Sequence, residues 1–133
     1  MNKKELIDLI ENLKVDKNEI VVLSTGALVL RGIWEEANDL DIAVTKKGLE
    51  QLKSNYNLKQ KPDDFYIVNE LVECVEDDMI DKKELLDNYF VQDIYDYYNY
   101  IKNSGREKDK PKIEVVEEYI RKREEVCQKQ KRI

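Results

Sequence analysis

The run Val21-Val22-Leu23-Ser24-Thr25-Gly26-Ala27-Leu28-Val29-Leu30-Arg31-Gly32-Ile33, followed by Asn38-Asp39-Leu40-Asp41-Ile42-Ala43-Val44, admits few folds. A short β-branched segment leads into a turn bearing hydroxyls and a glycine. A short apolar helix comes next, then a second strand that opens on two carboxylates. Strand side chains alternate between faces, so Asp39 and Asp41 point the same way, roughly 6.5 Å apart along the backbone. Paired carboxylates suit a hard divalent cation, and the backbone N–H groups of the preceding turn can meet an anion. Together they outline a site for Mg²⁺ and a triphosphate. An Asp-x-Asp pair also arises at ordinary loop-to-strand junctions, where Asp is favoured. The preceding turn is what sets this one apart.

The rest of the chain reads as elements around that unit. Leu6, Ile7, Leu9, Ile10 and Leu13 recur at helical spacing behind Asn2, with Glu5 completing a capping box. Ile20 to Leu23 is strand-like, Ala27 to Ile33 a short buried helix, and Leu40 to Val44 a strand. Thr45 caps a helix from about Lys47 to Asn55. Lys59-Gln60-Lys61-Pro62-Asp63-Asp64 is read as a loop. Phe65–Val68 and Leu71–Val75 read as strands joined by a tight turn at Asn69-Glu70. Asp81-Lys82-Lys83-Glu84 has capping-box character and predicts a short helix. A further helix runs from about Gln92 to Asn103 and stops at Ser104-Gly105. Asp109 is expected to cap the last helix, with Pro111 in its first turn and Ile113, Val116, Tyr119 and Ile120 as its buried stripe. Beyond Arg123 the apolar periodicity fades, which predicts a frayed end. Tyr97 and Tyr98 fall on a core-facing stripe with Ile94 and Ile101, leaving Tyr95 and Tyr100 for a pocket mouth. The expected fold is α+β: a small mixed β-sheet flanked by helices, in one domain over residues 1–133. Its core spans about 20–76, with a C-terminal helical part at about 81–130.

Composition narrows the chemistry. The chain has no histidine, which removes imidazole bases, Ser-His triads and His-based zinc sites. Two cysteines, Cys74 and Cys127, lie far apart and fit neither a metal spacing nor a disulfide framework, as expected in a reducing cytoplasm. A net charge of −6 disfavours nucleic acid as the main partner. No run approaches the ~20 apolar residues of a membrane span, and Met1–Glu5 lacks an apolar signal. A soluble, cytoplasmic protein is expected.

The segment Leu23 to Val44 resembles the signature of the nucleotidyltransferase superfamily, the group of DNA polymerase beta and the small antibiotic-modifying nucleotidyltransferases. In that family a Gly-Gly or Gly-Ser turn precedes a short helix, and an acidic-hydrophobic-acidic triplet opens the next strand. Here Ser24-Thr25-Gly26 occupies the turn, with Ser24 where the family's first glycine stands, and Asp39-Leu40-Asp41 is the triplet. Asp87 to Ile94 and Gly105-Arg106-Glu107-Lys108-Asp109-Lys110 are similar to the C-terminal half of small stand-alone bacterial members, where an Arg-x-Lys-Asp turn precedes a final helix. The resemblance covers about Ile20 to Ile120.

It implies a nucleotidyltransferase-like fold and a Mg²⁺-dependent enzyme. Such an enzyme moves a nucleoside monophosphate from an NTP, with ATP the expected nucleotide, to an acceptor hydroxyl on a small molecule or protein. Asp39 and Asp41 would be the metal ligands. A third carboxylate from a neighbouring strand is Glu73, or Glu76 in a different register; either could instead lie on a solvated face. Ser24, Thr25 and Gly26 would meet phosphate, Gly26 giving the backbone its freedom. Arg106 and Lys108 could do so too, or could be charges at a helix end. A homo-oligomer or protein partner could complete so small a site. The alternative is a catalytically silent module of this fold that binds a nucleotide or a partner, for example in a toxin–antitoxin system.

Overall fold

A computed structural model describes residues 1–77 and 82–131. The backbone divides into two compact units, Met1–Gln92 and Asp93–Ile133.

The first unit is built on a mixed sheet. Helix α1 (Lys3–Asn12) opens on the expected capping box: Asn2 accepts from the Glu5 N–H while Glu5 accepts from the Asn2 N–H. A 3₁₀ turn, Lys17–Glu19, leads into β1 (Ile20–Val22). Then come α2 (Ser24–Leu30), β2 (Leu40–Val44) and α3 (Lys46–Asn55), the last capped by Thr45 Oγ1, which accepts from the Gly48 N–H. Strands β3 (Lys59–Gln60), β4 (Tyr66–Ile67), β5 (Val72–Glu76), β6 (Lys83–Leu86) and β7 (Tyr89–Gln92) complete the sheet. Its order is β3-β4-β5-β2-β1-β7-β6. The pairs β1–β7 and β2–β5 are parallel; β1–β2, β3–β4, β4–β5 and β6–β7 are antiparallel. The central strands read as continuous apolar runs because β1 and most of β2 are buried. Leu6, Ile10, Val22, Leu40, Ile42, Leu52, Val72 and Cys74 belong to one core cluster against the sheet.

In the second unit, α4 (Ile94–Ser104) is capped by Asp93, whose side chain accepts from the Asp96 N–H. It ends on Gly105 at φ +67°, as a left-handed C-cap requires. A 3₁₀ turn, Glu107–Asp109, leads to α5 (Lys110–Lys131), which contacts α4. Tyr95 donates to Glu124 and Tyr98 to Glu117, tying the two helices together. Tyr97 and Ile101 are buried, while Tyr98 is only partly so.

Four expectations need correction. Lys83 and Glu84 begin a strand, not a helix: β6 and β7 form a hairpin turning at Asp87-Asn88, with Asp87 at φ +56°. The helical part therefore starts at Asp93, and Asp81 lies outside the described residues. Lys59–Gln60, read as loop, pairs with Tyr66 and Ile67. Helix α5 runs on to Lys131, and charges at i, i+3 and i, i+4 support it past Arg123 as far as Glu125. Arg121 bridges Glu118 and Glu125, and Lys122 reaches Glu118. Asp109 ends the 3₁₀ turn and is a buried hub, accepting from Ser104 Oγ and Arg106 Nε. Among the described residues no helix is long and apolar enough to cross a membrane.

Candidate functional site

The register of β2 against β5 decides what meets at their ends. Asp41 pairs with Glu73 and Val44 with Glu76. Paired residues on neighbouring parallel strands project to the same face, and residues three apart on one strand to opposite faces. Glu73 therefore stands beside Asp41, and Glu76 projects to the other side. Asp39, two residues before Asp41, shares its face. Carboxylate oxygens of Asp39, Asp41 and Glu73 all lie within 4.8 Å of one another. Asp39 is exposed and the other two are half-buried. The flanking Val72 and Cys74, turned the other way, are fully buried, which fixes the face Glu73 must take.

Lys61 is the residue the sequence did not single out. Its ammonium donates to Glu73 Oε1 at 2.5 Å and lies 3.5 Å from Asp63 Oδ2. The hydrogen bond to Glu73 is the main reason its pKa stands above that of an ordinary lysine, against partial desolvation. No local signal marked it, because its placement depends on the pairing of two-residue strands. The Lys61 N–H closes that turn onto the Phe65 carbonyl at 2.7 Å.

The turn before α2 adjoins the cluster, since the Leu23 N–H donates to the Asp41 carbonyl at 2.9 Å. Ser24 has φ +55°, the left-handed conformation that glycine takes freely. It thus adopts a glycine-like backbone where the resembled family has glycine. Its N–H is engaged by Gln92 Oε1 at 2.9 Å. The backbone freedom expected of Gly26 is therefore needed two residues earlier. Gly26 is buried in α2, and a Cβ there would come within 3.2 Å of Val22 Cγ1, so its role is close packing of α2 on β1. Thr25 follows Ser24 in the first turn of α2 and is half-buried. Gln92 also accepts from Arg31 Nη2 through its carbonyl at 2.8 Å, and Arg31 pairs with Glu84 at 3.1 Å.

Arg106 and Lys108 belong to the second unit. Arg106 donates to Asp109 at 2.8 Å and lies over the Tyr100 ring, 5.3 Å from its centroid. Lys108 is exposed on the 3₁₀ turn. Asp109, 1% exposed, holds Arg106 in place; its second oxygen lies 4.0 Å from Lys112 Nζ. Burial pushes the Asp109 carboxyl up, but the hydrogen bonds from Ser104 and Arg106 and the nearby cations win. It ionises below the ordinary aspartate range.

No protein-family model, curated protein or solved structure matches this chain.

Proposed function

We propose that the chain is a Mg²⁺-dependent nucleotidyltransferase. The observation that supports this is the convergence of Asp39, Asp41 and Glu73 at the ends of two adjacent parallel strands, beside a turn held in a glycine-like conformation. The donor set fits the metal: three carboxylates supply only hard oxygen ligands, and the chain has no histidine. Asp39 and Asp41 would hold Mg²⁺, with Glu73 as third ligand or base. Bound Mg²⁺ would neutralise and orient the triphosphate. In the reaction the acceptor oxygen bonds to the α-phosphorus, the bond to the β-phosphate bridging oxygen breaks, and pyrophosphate leaves. The hydroxyl proton passes to a carboxylate, a role we assign to Glu73 once its ion pair with Lys61 opens. Both cysteines are free, which fits the cytoplasm where we place the protein.

A second reading, a silent nucleotide- or partner-binding module, is favoured by two contacts. Gln92 engages the Ser24 amide, and Lys61 engages Glu73. Calorimetry of ATP with and without Mg²⁺ tests the first reading, comparing wild type with Asp39→Asn/Asp41→Asn. Mg²⁺-dependent binding lost in the variant is expected. Absence of binding in both proteins overturns the enzyme reading. Binding without pyrophosphate release across an acceptor screen selects the silent module.

A further inference from the structure

Strand β6 ends one side of the seven-stranded sheet and pairs with β7 alone among the described residues. The hairpin register fixes which of its backbone groups point outwards. Leu86 and Tyr89 flank the two-residue turn, so they face each other as a hydrogen-bonded pair, and so do Glu84 and Val91. Lys83 and Leu85 alternate with them and turn their N–H and C=O groups away from β7. Such an edge is a template for a further strand. Leu85 is 66% exposed, the most open of the large apolar side chains among the described residues. Lys83 shares its face by alternation, its ammonium 4.4 Å from the centroid of the Phe90 ring. A lysine on an edge commonly wards off other strands. It does not ward off one that offers a carboxylate opposite, and Asp87 of this same chain stands two positions beyond Leu85.

We propose that β6 pairs antiparallel with β6 of a second copy of this chain, about a two-fold axis at Leu85. Outward-facing residues must meet outward-facing residues for the ladder to close, which leaves few registers. Centring the pair on Lys83 sets two ammonium groups against each other, and centring it on Glu84 does the same with two carboxylates. Centring it on Leu86 carries Lys83 past the end of the other copy's strand. On Leu85, the two leucine side chains meet at the axis, and Lys83 faces the second copy's Asp87 on either side of it. The edge is self-complementary in that register alone, and two sheets then run on as one. This interface needs neither metal nor nucleotide, so it stands or falls apart from the transfer reading.

A four-residue edge is a small interface, so a weak dimer is expected, with Kd on the order of 10–100 μM. Sedimentation equilibrium of the full chain up to roughly 500 μM measures it. Lys83→Glu should weaken the dimer about tenfold, and Lys83→Glu/Asp87→Lys should restore it by exchanging the charges. Leu85→Pro removes an outward donor without touching the bonds to β7, and should leave a folded monomer by circular dichroism. Cross-linking reads the register directly, in a Cys127→Ser background where the remaining Cys74 is buried. Facing residues of a hydrogen-bonded pair lie about 5.5 Å apart between Cα atoms, within reach of a disulfide. Leu85→Cys should therefore link two chains under mild oxidation at least about tenfold faster than Lys83→Cys, whose counterpart lies about 14 Å away. A protein that stays monomeric throughout overturns the proposal and leaves the edge to some other strand. So does a dimer indifferent to Lys83→Glu or Leu85→Pro, a charge exchange that fails to restore a folded variant, or equal cross-linking at the two positions.

Discussion

Replacing Lys61 with Met asks whether the carboxylate cluster is a cation site and whether the protein carries its own competitor for it. The ammonium lies 2.5 Å from Glu73 Oε1. A divalent ion on the same carboxylates would sit about 2.1 Å from its oxygens, leaving the ammonium about 5 Å from the ion. In a water-like dielectric, one positive charge at that separation weakens binding of a divalent ion roughly fifteenfold. Screening at 0.1 M salt, where the Debye length is about 10 Å, reduces this to roughly fivefold, and at 0.01 M salt the effect is about tenfold. Lys61→Met keeps most of the aliphatic stem and removes the charge. The expected outcome is Mn²⁺ binding tighter by those factors, read from the electron paramagnetic resonance signal of free Mn²⁺ at the two salt concentrations. Asp39→Asn/Asp41→Asn should abolish binding in either background. Without metal, Lys61→Met leaves three carboxylates facing one another, so saturating Mn²⁺ should raise its melting temperature more than that of wild type. A variant that binds Mn²⁺ no more tightly than wild type, or whose gain ignores salt, refutes the reasoning.

Other outcomes follow from single residues. Ser24→Gly should leave stability within about 0.5 kcal/mol of wild type or raise it, since glycine relieves the left-handed strain at φ +55°; Ser24→Val should cost about 1–2 kcal/mol or more. Urea denaturation measures both, and a Gly variant less stable by over about 1 kcal/mol would contradict the assignment of strain. Burial pushes the Cys74 thiol up to about 11, only partly offset by the charge of Lys53, whereas Cys127 is exposed. A chromogenic disulfide reagent at pH 8 should therefore titrate one thiol in the native protein and two in denaturant, Cys74 reacting over about a hundredfold more slowly. Asp109→Asn should destabilise the protein by about 1–3 kcal/mol at pH 7. Because the folded carboxyl ionises below the ordinary range, its contribution is complete above about pH 4 and is lost as pH falls through the folded pKa. The gap between wild type and variant in urea melts should accordingly narrow by pH 3.

Local rules made much of this fold legible. The Asn2–Glu5 box, the Thr45 cap, the Gly105 stop and the bounds of β2 all depend on a few neighbouring residues, and each stands as the sequence predicts. The hairpin of β6 and β7 was misread because Asp81-Lys82-Lys83-Glu84 imitates a helix start. The contrary signal was present in Asp87-Asn88 set between Leu85-Leu86 and Tyr89-Phe90-Val91, a turn pair flanked by strand formers. Tertiary pairing won there over local propensity. Asp39 and Asp41 could be placed on one face from alternation alone. Glu73 against Glu76 could not, since that choice needs the register between strands whose paired residues, Asp41 and Glu73, stand 32 apart in sequence. Lys61 and Gln92 were illegible for the same reason: each reaches the site through strand pairings that no local pattern encodes.

That register has a consequence for inorganic chemistry. Slid by one residue, β5 would present Val72, Cys74 and Glu76 on the face of Asp41 and turn Glu73 into the core. A thiolate would then stand beside the aspartates, a donor set drawn to soft, thiophilic ions such as zinc rather than to magnesium. Burial of Val72 and Cys74 against the core forbids that slip. The oily side of the sheet thereby selects which ions its wet side can prefer.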